Sequence, residues 1–138
     1  MEIIHGDACF TAFHGRIPIL STVFGNCNFN SADCRIPNLA YVGGNFVMDG
    51  AQISEIPNLV AIDGDARFAG ASLIALPCLQ SIGESAYFDC SNLTTLPNLN
   101  SIKKITAKWD LEKYIENNFE QTENGYIRKN NLTKKVPN

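Results

Sequence analysis

Ile56-Pro57-Asn58-Leu59-Val60-Ala61-Ile62-Asp63-Gly64-Asp65-Ala66-Arg67-Phe68 decides the fold, because both of its halves recur at fixed distances along the chain. The opening tetrapeptide returns as Ile36-Pro37-Asn38-Leu39, Leu76-Pro77-Cys78-Leu79 and Leu96-Pro97-Asn98-Leu99, spaced by 20 residues. An earlier copy, Ile17-Pro18-Ile19-Leu20, stands 19 residues before the first of these. The second half returns around Gly6, Gly25, Gly44 and Glu84; Ile4-His5-Gly6-Asp7-Ala8-Cys9-Phe10 is the nearest match. A strict period of this size marks a solenoid, in which each coil buries its apolar side against the next. The phase predicts a half coil, full coils over 17–35, 36–55, 56–75 and 76–95, and a partial coil from Leu96.

Several columns of the repeat are apolar in every coil. Leu39/Leu59/Leu79/Leu99, Val42/Ile62/Ile82/Ile102, Met48/Phe68/Phe88 and Ile53/Leu73/Leu93 are examples. Columns that keep their character from coil to coil predict an interior ladder, each side chain contributing about 1.5–3 kcal/mol before entropy is subtracted. Phe46 shares a column with Ala66 and Ala86, which predicts a local change of packing volume between neighbouring coils. Within the motif, Phe46 and Met48 alternate with Asn45, Val47 and Asp49, the period-two pattern of a strand. One such strand per coil predicts a parallel sheet, with Gly44, Gly50, Gly64 and Gly70 at the corners.

After Ile102 the apolar positions come one residue early, at Ile105, Ala107 and Trp109, and lysines appear at 103, 104 and 108. This predicts a register change that ends the stack. Asp110 is the expected N-cap of an amphipathic helix over 111–120, with Leu111, Tyr114, Ile115 and Phe119 on its apolar face. That helix would cover the open end of the solenoid, as terminal repeats require. Asn124-Gly125 predicts a turn, residues 125–128 a short strand, and residues 130–138 a polar tail. Residues 1–109 and 110–138 therefore form solenoid and cap of one domain. The first coil carries Met1, Ile3, Ile4, Phe10 and Phe13 with no polar cap. Either its own side chains close that end, or it packs on another molecule as an end-to-end homodimer.

The 138 residues suffice for one domain with a real core. Nine acidic and three basic residues lie in 1–100, and five acidic and eight basic ones in 101–138. An acidic body argues against direct nucleic-acid binding, which needs clustered Lys and Arg. No run of 18 apolar residues is present, so no membrane span is expected. The start lacks the basic and apolar regions of a signal peptide. Five scattered cysteines, an odd number, fit free thiols, and the expected location is cytoplasmic.

The coil Leu73-x-x-Leu76-Pro77-x-Leu79-x-x-Ile82-Gly83-x-x-Ala86-x-Phe88-x-Cys90-x-x-Leu93 resembles the BspA-type (Treponema-type) leucine-rich repeat. Coil 36–55 is similar to repeats of phage and bacterial leucine-rich-repeat-like proteins. The likeness covers roughly residues 4–105, with a shorter coil and without the Asn ladder of common leucine-rich repeats. It implies a curved solenoid with a parallel sheet and a protein-binding role, and no catalytic residues. The expected fold is thus a leucine-rich-repeat-like β-solenoid of about five 20-residue coils with a C-terminal helical cap.

The outward strand positions form the candidate partner-binding surface: Asn28, Asn45, Asp49, Asp65, Arg67, Tyr87 and Asp89. Tyr and Arg are the side chains that most often anchor protein interfaces. The alternative is an ordinary solvated sheet face. A calcium site at Asp49, Asp65 and Asp89 would need six or more converging oxygens, and these residues sit in different coils. Cys27 and Cys90 fall in core columns, while Cys9 takes an outward slot. A Cys9/His14 dyad can be drawn, but no third group orients it. There is no P-loop, no dinucleotide-binding glycine motif and no zinc spacing, so no cofactor or metal is expected. The expected function is a non-enzymatic protein–protein interaction module. The alternative is a small phage-type inhibitor occupying the basic nucleic-acid-binding groove of a host nuclease or similar defence enzyme.

Overall fold

The computed structural model describes residues 2–89 and 92–129. The chain winds as a parallel β-solenoid of about five turns. Each coil up to residue 75 contributes two short strands to the main sheet, where the sequence pattern had suggested one. The first set is β1 (Glu2–Ile4), β4 (Leu20–Val23), β7 (Tyr41–Val42) and β9 (Ala61–Ile62). The second is β2 (Ala8–Cys9), β5 (Cys27–Asn28), β8 (Phe46–Val47) and β10 (Ala66–Arg67). Both sets run into β11 (Ser81–Tyr87), which is followed by β12 (Ser101–Thr106). A third side is formed by β3 (His14–Arg16) and β6 (Asp33–Arg35) in a two-stranded parallel sheet.

A glycine column explains why the two strand sets are separate in the early coils. A Cβ on Gly25 would lie 2.7 Å from the backbone of Gly6, and one on Gly64 2.7 Å from that of Gly44. The chain bends there with its backbones stacked closely. Glu84 fills this slot in the fourth full coil, and there the strand runs straight through as the seven-residue β11.

Register pairs link Ala8, Cys27 and Phe46 in steps of 19 residues, and Phe46, Ala66 and Ala86 in steps of 20. The early coils are thus one residue shorter. Their corner residues Ala12 and Ser31 adopt left-handed φ of 59° and 58°, where the later coils use Gly50 and Gly70 at 67°.

The interior is a continuous apolar ladder. Leu39, Leu59, Leu79, Val42, Ile62, Phe46 and Phe68 are fully buried. The volume change expected at Phe46 takes the form of a swap. Coil 36–55 places Phe46 where its neighbours have Cys27 and Ala66, and Met48 where they have Phe29 and Phe68. The Phe46 ring then bridges the aromatic stack, 6.1 Å from Phe29 and 5.5 Å from Phe68. The stack begins at half-buried Phe10, 4.9 Å from Phe29, and ends at Phe88, 5.3 Å from Phe68.

The C-terminal region corrects three expectations. The early apolar register does not end the stack: β12 stays parallel to β11, and the missing residue is absorbed between Ile82 and Ser85. The helix α1 spans Trp109–Asn118 with Lys108 at its N-cap and no side-chain cap bond; Asp110 lies inside the first turn, where its charge suits the helix dipole. Phe119 begins β13 (Phe119–Thr122), which pairs antiparallel with β14 (Gly125–Arg128). The strand expected at 125–128 is present and lies antiparallel on β12, covering its edge at Ser101 and Ile102.

Leu111, Ile115 and Phe119 bury into the same core as the coils. Arg128 ties the cap down. Its Nε donates to the Leu99 carbonyl (2.7 Å), its Nη2 donates to the Leu96 carbonyl and to the Tyr114 hydroxyl, and its guanidinium lies 4.7 Å over the Phe119 ring. The expected tail 130–138 and Cys90 lie outside the described residues. No helix among the described residues is long and apolar enough to cross a membrane.

Candidate functional site: the outer row of the second strand set

Strands β2, β5, β8, β10, the end of β11 and β12 stack in register, so their outward side chains form rows along the solenoid axis. Rows follow one another at about 4.8 Å per coil. The central row is Cys9, Asn28, Val47, Arg67, Tyr87 and Thr106. It brings together three of the expected site residues, Asn28, Arg67 and Tyr87.

The other four lie in rows that flank it, and most of these side chains already have partners. The Asn26 N–H donates to Asp7 Oδ1 (2.8 Å), the Asn45 N–H to Asn26 Oδ1 (2.9 Å), the Asp65 N–H to Asn45 Oδ1 (2.8 Å) and the Ser85 N–H to Asp65 Oδ1 (3.0 Å). This is a mixed Asn/Asp ladder, distinct from the all-Asn ladder of common leucine-rich repeats and not anticipated from the sequence. Its signal was in the sequence: every coil from the first to the fourth has Asn or Asp in this column. Either residue supplies the same Oδ1 acceptor, so their alternation hid the role. On the other flank the Asp49 N–H donates to Asn30 Oδ1 (2.8 Å) and the Ala69 N–H to Asp49 Oδ1 (3.0 Å). Asp89 continues this flank, half-buried, with its Oδ1 enclosed and no hydrogen bond among the described residues.

A third ladder uses the repeat tetrapeptide. The Asn38 Nδ2 donates to the Pro18 carbonyl of the coil before it, Asn58 to Pro37 (2.7 Å) and Asn98 to Pro77. Each of these bonds is worth about 1 kcal/mol net and fixes one coil on the last. Asn45, Asp49 and Asp65 are therefore scaffold side chains first, and only their remaining lone pairs are open to a partner.

Within the central row, Arg67 is exposed and its guanidinium lies 5.3 Å from the centre of the half-buried Tyr87 ring. Such cation–π contacts hold both groups in place at little cost. Asn28 Oδ1 accepts the Asn30 N–H (2.9 Å) and the Thr11 hydroxyl (3.3 Å). Val47 and Thr106, absent from the expected set, complete the row. Cys9 is exposed, and its Sγ lies 3.3 Å from Thr11 Oγ1, a hydrogen bond that lowers the thiol pKa.

The Cys9/His14 dyad does not form in this arrangement: His14 Nδ1 stands 4.0 Å from Asp33 Oδ2, and the partner of Cys9 is Thr11. Cys27 is buried as expected, and burial pushes its thiol up to about 12; the buried Cys34 is raised to about 11. Neither is a nucleophile at neutral pH.

Comparison with protein-family models, curated proteins and solved structures finds no match. The fold stands as a parallel β-solenoid on its own geometry, and the leucine-rich-repeat likeness gains no support from a shared family.

Proposed function

We propose that the chain is a non-enzymatic binding module that takes a protein partner along the central row. One observation carries this reading: the Arg67–Tyr87 stack, with Val47 beside it, stands between two rows whose side chains are tied to backbone N–H groups. A row fixed on both sides loses little conformational freedom when it is covered, which favours association. Tyr and Arg presented together on such a surface supply the usual anchors.

The test is affinity capture from the native cell with three baits. The unaltered chain and Arg35→Ala, which lies on the other sheet, should recover the same partner. Arg67→Ala/Tyr87→Ala should lose it while keeping its stability to within about 1 kcal/mol, as surface changes do. Equal recovery by all three baits would remove this face from consideration.

The carboxylates that flank the row favour a second reading. Asp7, Asp49, Asp65 and Asp89 lie along the flanks of the row, outnumbering the bases Arg67 and Lys104 on the same face. Such a face suits a basic partner surface, including the nucleic-acid-binding groove of an enzyme that this chain would inhibit. Association would then be fast and steeply salt-dependent. An association rate indifferent to salt rules this version out and leaves the first intact.

A further inference from the structure

We propose that the N-terminal coil is a self-pairing surface, on which a second copy of this chain docks across a two-fold axis passing through β2. The first coil ends every ladder it belongs to. β1, β2 and β3 each have one neighbour, and their outer sides meet no strand among the described residues. Unpaired strand edges are templates for further pairing. Exposed apolar side chains are concentrated in the first two coils: Ile3, Phe13, Ile19 and Phe24 are four of the seven large ones among the described residues.

The opposite end of the solenoid selects the occupant. There β14 lies antiparallel on Ser101 and Ile102 of β12 and α1 packs on the core, so the three-sided parallel outline of the first coil has no counterpart for a head-to-tail stack. The open edge that matches this one is the same edge of another copy. That contact is isologous and closes as a dimer, whereas a head-to-tail contact would build a fibre.

The sequence of the first coil suits such an axis. The chain passes β1, β2 and β3 in order around the coil. A two-fold through β2 sets β2 antiparallel to itself and places β1 against β3 of the second copy. With Cys9 as the pivot, residues 2, 3 and 4 oppose residues 16, 15 and 14. Glu2 then faces Arg16 of the second copy, and by symmetry the pair occurs twice. Neither side chain is in an ion pair within its own chain among the described residues. Opposite charges directly across strands stabilise such a pairing. Ile3 falls opposite Gly15, which presents no side chain to obstruct it. Exposed Cys9 approaches Cys9 of the second copy.

The test uses the full chain. Sedimentation equilibrium should show a dimer, and mild oxidation should cross-link it through a disulfide that Cys9→Ser abolishes. Glu2→Arg and Arg16→Glu should each weaken the dimer at least tenfold, and the double variant Glu2→Arg/Arg16→Glu should restore it to within about threefold of the unaltered chain. Circular dichroism of all variants checks that the fold persists. A monomer at about 1 mM overturns the proposal, because it excludes any Kd tighter than that. A dimer that cross-links through another cysteine, or that is indifferent to both charge reversals, overturns it equally, since a different face is then in use.

Discussion

The two ends of this solenoid meet the same physical problem with different means. At the C-terminal end, antiparallel β14 covers the start of the last parallel strand, and Leu111, Ile115 and Phe119 seal the core. Arg128 then hydrogen-bonds to two backbone carbonyls of the last coil and to Tyr114 on the helix. At the N-terminal end, Ile4, Phe10 and Ile17 pack on the core but remain partly exposed, and β1, β2 and β3 meet no outer strand among the described residues. The early coils also place Ala12 and Ser31 in left-handed backbone that later coils give to glycine. A repeat protein is held by coil–coil interfaces, so an end coil with one interface is looser than any inner coil unless something replaces the missing neighbour. The cap supplies that replacement at one end only.

The aromatic stack gives the largest contrast between end and middle. Phe68→Ala removes a fully buried ring and should cost about 3–5 kcal/mol in urea unfolding. Phe10→Ala removes a half-buried ring at the open end and should cost about 1–2 kcal/mol. Equal costs would mean that the first coil is as firmly held as the inner ones, and the asymmetry between the ends would fail.

Arg128→Ala attacks the capped end. Hydrogen bonds from a charged group to partly buried carbonyls predict a loss of about 2–3 kcal/mol, and Arg128→Lys should recover only part of it because one ammonium cannot span both carbonyls. A loss under about 0.5 kcal/mol would show that the apolar contacts of α1 alone close this end.

The smallest effect comes from the corner column, and it has opposite signs in the two regions. Ser31→Gly relieves a left-handed residue and should raise stability by roughly 0.5–1 kcal/mol, whereas Gly70→Ala should lower it by about 1 kcal/mol. Thermal melts of the two variants, compared with the unaltered chain, decide this. If both substitutions destabilise, the shorter early coils are not strained at their corners.

Much of this architecture was legible in the sequence because it follows from local periodicity. The apolar columns and the glycine corners came from the recurrence of residue types, the strand at 125–128 from the Asn124-Gly125 turn, and the burial of Leu111 and Ile115 from helical spacing. The second strand set escaped because Tyr41-Val42 and Ala61-Ile62 are too short to show an alternation by themselves. The Asn/Asp ladder escaped because outward polar residues look solvated until a backbone N–H is found at 2.8 Å. Phe119 was assigned to the helix because it falls at helical spacing from Ile115. Only pairing with Arg128 across the hairpin turns it into the first residue of β13.

By itself the sequence determined that the chain winds, how many residues each turn takes, and which side chains face the interior. These are properties of a repeat, and a repeat is written linearly. Tertiary structure alone decided which outward side chains are free. Whether Asn45, Asp65 or Arg67 can touch a partner depends on what the adjacent coil offers it, and that coil is 19 or 20 residues away along the chain yet in direct contact through space.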